Sequence, residues 1–229
     1  MPRAARASVG GICYHVINRG NGRRTVFRKD GDYHAFLKAM AHACVEVPLP
    51  VLGYCLMPNH FHIVLLPAAD GDLSRWMHWL LNTHVRRYHK HHHSSGHVWQ
   101  GRFKAFPIEQ DEHLLTVLRY LERNPVRANL VRRAERWPWS SARCWQEGAV
   151  EPAYLVEGPV QRPGDWLEWV NRPLMAAEIE AVRRCVNRGA PYGSAAWVAR
   201  AATEMGLESA VRPRGRPRKA AAVGGKISE

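Results

Sequence analysis

Two strand-forming runs, residues 49–57 and 59–66, are divided only by Met57-Pro58-Asn59, and Pro67 stops the second. So short a break leaves room for a turn and nothing more, so the runs are expected to pair with each other. Alternation along the second run, MPNHFHIVLL, sends His60, His62 and Val64 to one face and Phe61, Ile63 and Leu65 to the other. The apolar face has to be covered by helices. The two imidazoles, side by side, are left to meet a ligand or another element. Taken alone, a His-x-His on a strand is more often ordinary surface than a metal site.

The flanking segments alternate between strand and helix periods. Residues 11–18, GICYHVIN, are rich in strand formers and run into turn residues and cations, NRGNGRRT. Residues 30–44 place Phe36, Leu37 and Met40 at helical spacing behind an Asp able to cap them. A longer helix is expected over 72–89, with Leu73, Trp76, Met77, Leu80 and Leu81 on one side. Arg86 and Arg87 fall near its end, where cations suit the helix dipole. Residues 97–108 read as strand. Residues 111–123 read as a helix through Leu114, Leu115, Leu118 and Leu121, stopped at Asn124-Pro125 because the residue before proline avoids helical angles. The order βαββαβα implies an α+β, ferredoxin-like (RRM-like) fold, a four-stranded antiparallel sheet with helices, because it needs the fewest long crossings.

Beyond Trp137-Pro138-Trp139 two short helical stretches, 174–188 and 194–205, precede a tail without periodicity. We divide the chain into a core domain (1–145), a C-terminal helical extension (146–210) and a basic tail (211–229), expected to be disordered. The tail carries RPRGRPRK, with five positive charges and two prolines in eight residues, a composition that neither forms a helix nor buries a core.

The chain has 33 Lys and Arg against 20 Asp and Glu, a formal charge of +13 and a pI near 10.1, which makes nucleic acid the default partner. A membrane-surface protein would share the sign of charge. There is, however, no run of about 18 apolar residues, and the opening MPRAARASVG lacks an apolar signal stretch, so a cytoplasmic, nucleoid-associated protein is expected. Cys13, Cys44, Cys55, Cys144 and Cys185 are odd in number and scattered, so they read as reduced, mostly buried thiols. The run His89 to His93 reads as a polar loop rather than a site, since no Cys, Asp or second His accompanies it at ligand spacing.

Tyr120 and Asn124 stand four apart at the end of the last core helix and so project from one face, a phenol and an amide oxygen together. On its own the pair is better explained by interface packing and by the turn before Pro125. Combination with the imidazole pair changes the balance. A metal site built on two imidazoles needs a third oxygen ligand and open positions for substrate, and Asn124 is the nearest residue a helix across the sheet could deliver.

The combination resembles the REP-associated tyrosine transposases, within the HUH (His-hydrophobic-His) single-strand endonucleases. The resemblance is carried by YHVINRGNGRRTVF (14–27), YCLMPNHFHIVLL (54–66), VWQGRFK (98–104), RYLERNPVRANLV (119–131), WPWSSA (137–142) and RPRGRPRK (212–219). It implies a ferredoxin-like catalytic domain, His60 and His62 as metal ligands completed by Asn124, Tyr120 as the single nucleophile, and Mg2+ or Mn2+ as cofactor. Hairpin DNA repeats as target are likewise implied by the resemblance and not by spacing or charge. Leu121-Glu122-Arg123 departs from the Ile-His-Leu expected there, which weakens any role assumed for those middle positions.

The chemistry implied is attack of the Tyr120 phenol on a phosphodiester, leaving a 5′-phosphotyrosine and a free 3′-hydroxyl. The covalent link keeps the bond energy, so new ends can be joined without ATP. No general base stands out; His113 reads as a solvated first-turn histidine. For the DNA we expect Asn18, Arg19, Arg23 and Arg24 after the first strand, and Arg102 and Lys104 beside Trp99 and Phe103, cations interleaved with rings on which unpaired bases stack, although core packing explains those rings equally well. Arg214 and Arg216 look like an AT-hook, with a plain cationic tether as the alternative. Single-stranded or hairpin DNA is the expected partner and a monomer is favoured over a dimer. A non-catalytic DNA-binding or repressor protein on the same fold is the alternative function.

Overall fold

In the computed structural model, which describes residues 8–212, the strand-forming runs become β1 (Cys13–Arg19), β2 (Val51–Met57), β3 (His60–Leu65) and β4 (Lys104–Ile108), joined in one antiparallel sheet of order β2-β3-β1-β4. The helices are α1 (Asp30–Glu46), α2 (Asp72–His92), α3 (Glu112–Glu122), α4 (Asn124–Arg127), α5 (Trp166–Asn171), α6 (Ala176–Arg188), α7 (Ala195–Glu204) and α8 (Glu208–Val211). Order and pairing are those of the expected ferredoxin-like fold.

Each sheet face has its own core. On one, Phe61, Ile63 and Leu65 pack with Tyr14 and Val16 beneath Phe36 and Met40 of α1 and Trp76, Met77 and Leu80 of α2. On the other, Cys13, Val64, Phe106 and Ile108 meet the α3 stripe Leu114, Val117, Leu118 and Leu121, four wholly buried side chains worth about 1.5–3 kcal/mol each. Asp111 caps α3 by accepting from the His113 amide at 2.9 Å. Gly53 on β2 lets α3 come close, because a Cβ there would stand 2.7 Å from a Leu118 methyl.

Four local expectations are corrected. Strand β4 begins only at Lys104, because Gly96 and Gly101 hold left-handed φ of 89° and 135° and Val98, Trp99 and Phe103 turn into the core; Trp99 keeps one isolated bridge to Gly20. The His89–His93 run is the end of α2 and not a loop, closed by His93 at φ 46°. Asp32, from α1, meets it in space, its Oδ1 3.2 Å from His92 Nε2. Asp30 does not cap α1. Lys29 holds that position, and Asp32 reaches back to accept from the amides of Arg28 and Lys29. Finally, Pro125 does not end the helical path; it sits in the first turn of α4, where a missing amide costs nothing.

The extension packs onto the core through α3. Arg119 donates from Nε to Trp169 O (2.9 Å) and from Nη2 to Arg172 O and Pro173 O (both 3.0 Å), while Arg123 donates to Val170 O and Asn171 O. The two arginines thus satisfy the open carbonyls at the end of α5. Trp166, Val170, Val182 and Cys185 join the α3 core. All five cysteines are free, four of them buried. Among the described residues no helix is long and apolar enough to cross a membrane.

Candidate active site

Pairing of β3 with β1 sets Ile17 opposite His62 and Arg19 opposite His60. The imidazole rings lie 5.0 Å apart, nearly perpendicular. Each has one nitrogen tied back: His60 Nδ1 lies 2.6 Å from Asn59 Oδ1, and His62 Nδ1 lies 2.8 Å from His15 Nε2. Both Nε2 atoms are thereby left for a ligand. For His62 Nε2 to offer a lone pair, Nδ1 must carry the proton and donate to His15 Nε2, an arrangement this contact accommodates. His15 is wholly buried on β1, its ring 4.9 Å from Phe106. The sequence reading missed it. Alternation in GICYHVIN puts His15 on one face with Ile17, but only the β1–β3 register shows that this is the face of His62.

Helix α3 delivers Tyr120 to this face. Its buried ring stands edge-on to His62, centroids 6.0 Å apart. Arg127, on α4, lies with its Cζ 4.6 Å over that ring and donates through Nη2 to the Tyr120 hydroxyl at 3.4 Å and to Asn124 Oδ1. The structure therefore gathers His60, His62, Tyr120 and Asn124, and adds Arg127. A guanidinium only donates, so this contact fixes the amide with its oxygen toward Arg127 and leaves Nδ2 buried without a partner. Arg127 follows Tyr120 and Asn124 at i, i+4, i+7. That periodic signal was hidden by reading Pro125 as a stop.

Burial first, then the charges of Arg19 and Arg127, brings the His60 pKa down to about 4; burial, then His60, brings His15 down to about 3; burial, then the other imidazoles, holds His62 well below its usual value. All three are neutral near pH 7, the form that ligates a metal. The unfolded chain takes up these protons from about pH 6.5, whereas in the folded chain His60 takes one up only near pH 4 and His15 only near pH 3. Stability is therefore full above pH 6.5 and is lost as the pH falls toward 4. A thermal midpoint of the metal-free protein that is flat from pH 7 to 4.5 would contradict the burial of these rings.

The residues expected to meet DNA divide. Arg19, Arg102 and Lys104, with Asn187 from α6, line a cavity of about 290 Å³ beside the imidazole pair, and Ile17, the strand partner of both His62 and Lys104, lines it too. Arg23 and Arg24 are exposed on the loop after β1, held to the β2–β3 turn by Asn59 Nδ2 donating to Arg23 O at 3.2 Å. One residue expected at the DNA lies elsewhere. Trp99 is buried against Phe27, Phe36, Phe61 and His84, on the opposite side of the sheet, so it is core and not a stacking platform. Asn18 lines the same cavity as Arg19, Arg102 and Lys104 and is largely buried, its carboxamide held by Gly101 O and the Arg19 amide, which ties the end of β1 to the loop before β4. His113 is held by Asp111 at 2.8 Å in the first turn of α3, two turns from Tyr120. Arg214 and Arg216 lie outside the described residues.

Among the described residues two other groups bring His and carboxylate atoms together, Asp32 with His91 and His92, and Glu109 with Asp111 and His113. Neither includes the imidazole pair, and Asp32 lies on the α1–α2 side of the sheet.

Residues 8–124 match the family described as "Transposase IS200 like". A Haemophilus influenzae protein whose name assigns it as a REP-associated tyrosine transposase is 30% identical over 122 residues, 48% of this chain and 69% of that protein. The REP-associated tyrosine transposase of Escherichia coli K12 is 24% identical over 138 residues, 58% of this chain and 76% of that protein. The solved structure of a REP-associated tyrosine transposase bound to a REP hairpin superposes with a TM-score of 0.53 at 21% identity, over 77% of this chain and all of that one, which shows the shared fold.

Proposed function

Because the chain belongs to the IS200-like transposase family, alongside the REP-associated tyrosine transposases, we propose that it cleaves and rejoins single-stranded DNA beside palindromic hairpins through a 5′-phosphotyrosine on Tyr120. The supporting observation is the phenol, presented edge-on to His62 with its hydroxyl beside a guanidinium and a carboxamide.

The free Nε2 atoms of His60 and His62, with the second lone pair of Asn124 Oδ1, suit a divalent metal, magnesium or manganese, although the oxygen also serves Arg127. Such an ion, when bound, withdraws charge from a scissile phosphate. The remaining work falls to the chain. α3 holds the phenol oxygen at the phosphate. The cations Arg19, Arg102 and Lys104 draw the flanking strand along the sheet, and Asn18 holds the loop that carries Arg102. His15 accommodates the tautomer in which His62 Nε2 can ligate. Attack forms the bond from phosphorus to the tyrosine oxygen and breaks that to the 3′ oxygen; a second 3′-hydroxyl reverses it.

Incubation of the protein with a labelled hairpin oligonucleotide and Mn2+ tests this reading: an adduct that survives denaturation is expected, and chelation should abolish it. Binding without an adduct identifies a repressor instead. Each strand phosphate neutralised should add about 0.7 to the slope of log affinity against log salt. Replacing Arg19, Arg102 and Lys104 together by Gln should therefore lower that slope by about 2; an unchanged slope would place the strand elsewhere. A monomer is expected on size-exclusion chromatography.

A further inference from the structure

We infer that Arg127 is a further catalytic residue, whose guanidinium grips a non-bridging oxygen of the phosphate that Tyr120 attacks; this rests on the phosphotyrosine reading. Three arginines follow one another along α3 and α4, and two are spent on structure. Arg119 and Arg123 give their N–H groups to carbonyls of α5 and the residues after it. Arg127 instead turns to the imidazole face. Nη2 reaches the Tyr120 hydroxyl and Asn124 Oδ1, while Nη1 is buried and has no partner. Among the described residues no carboxylate pairs with it. Beside it Asn124 Nδ2 is a second buried donor without an acceptor.

A buried guanidinium nitrogen left unpaired is costly and calls for an acceptor that the chain itself does not supply. The missing partner must be an acceptor, and an anionic one suits best, since Arg127 over Tyr120 and Arg19 opposite His60 on β1 both bring positive charge to this face. A phosphodiester oxygen meets both demands and matches the forked donor geometry. With Nη2 already on the nucleophile, Nη1 on the phosphate fixes phosphorus in line with the phenol oxygen. As that oxygen bonds to phosphorus and the 3′ oxygen leaves, the phenol proton passes on balance to the 3′-hydroxyl. Arg127 stays charged and takes the growing negative charge on the equatorial oxygens.

The test pairs the protein variant with a substrate variant. Wild type and Arg127→Ala are assayed for adduct formation with saturating Mn2+, on a hairpin whose scissile linkage is a phosphodiester and on one carrying a neutral methylphosphonate there. On the phosphodiester Arg127→Ala should be slower by on the order of 100-fold. On the methylphosphonate the charge to be neutralised is gone, so the two proteins should differ by no more than about 3-fold. An equal lag of Arg127→Ala on both substrates, or no lag on the first, overturns the assignment. A metal-free arm keeps it testable should wild type form no adduct, an outcome that sinks the phosphotyrosine reading alone. Binding is measured on hairpins whose flank is shortened one nucleotide at a time. Wild type should gain about 10-fold at one particular phosphate, Arg127→Ala nothing at that step, and Arg127→Lys part of it. Equal steps in all three proteins overturn the role, and affinity for the shortest hairpin reports that each variant is folded.

Discussion

Replacing Tyr120 with Phe should abolish the denaturation-resistant adduct and slow strand cleavage by on the order of 10⁴-fold or more, the scale seen when a covalent nucleophile is removed. The substitution takes away one oxygen and leaves the rest of the site in place. The ring still fills the buried position edge-on to His62, and Arg127 can still lie over its face. The lost hydrogen bond, 3.4 Å long, is weak, so the thermal midpoint and hairpin affinity should stay close to wild type. That combination, intact binding with no chemistry, separates a nucleophile from a packing residue. The informative failure is cleavage that survives the substitution. It would mean that water is the attacking group, and the phosphotyrosine and strand joining would both fall.

How much of this site could be read from sequence depended on whether the contact was local. The His60–His62 pair follows from the two-residue period of a strand, and Tyr120 with Asn124 from the helical repeat; each needs only one element. His15 needs a register, because the bond from its Nε2 to His62 Nδ1 joins residues 47 apart, and alternation alone does not say which neighbour a strand takes. Arg127 was lost for a different reason: the residue before a proline is biased away from helix, yet Pro125 falls in the first turn of α4, where that bias is overcome. Trp99 shows a third limit. A tryptophan among cations has the same composition whether it stacks a base or fills a core, and here Gly96 and Gly101 turn the chain so that it fills the core. The strand order itself was legible because the alternation of strand and helix periods admits few uncrossed arrangements.

The run Leu121-Glu122-Arg123 ends α3 with a buried polar anchor, and the largest folding effect is expected at Glu122. Its carboxylate is wholly buried between the sheet side of α3 and the extension. Oε1 accepts from Ser141 Oγ at 2.7 Å and Trp145 Nε1 at 2.8 Å, and Oε2 from Trp166 Nε1 at 2.8 Å. Burial pushes its pKa up, against the pull of Arg162 and the three donors. Arg162 is itself buried, stacked 4.0 Å from the Trp145 ring and bound to Leu52 O and Glu157 O. Glu122→Leu removes both carboxylate oxygens at once, stranding two indole N–H groups and taking a negative charge away from Arg162, while the Ser141 hydroxyl keeps Tyr54 O. Each indole N–H left in the interior without an acceptor costs about 1–3 kcal/mol, so about 2–6 kcal/mol for the two, and for a chain of this size the thermal midpoint should fall by roughly 4–24 °C. Glu122→Gln should cost less, although its amide then faces at least one donor with a donor. Adding Arg162→Met to Glu122→Leu should recover part of the loss, since the stranded charge goes with it. A loss below about 1 kcal/mol for Glu122→Leu would show that the extension is held by the apolar contacts of Trp166 and Val170 and by the Arg119 and Arg123 staples, with the buried carboxylate adding little. Because α3 is also the element that carries Tyr120, the prediction extends to activity. A loosened extension lets α3 shift on β2 and β3, so the adduct yield of Glu122→Leu should fall as temperature rises, before global unfolding, whereas the yield of wild type should not.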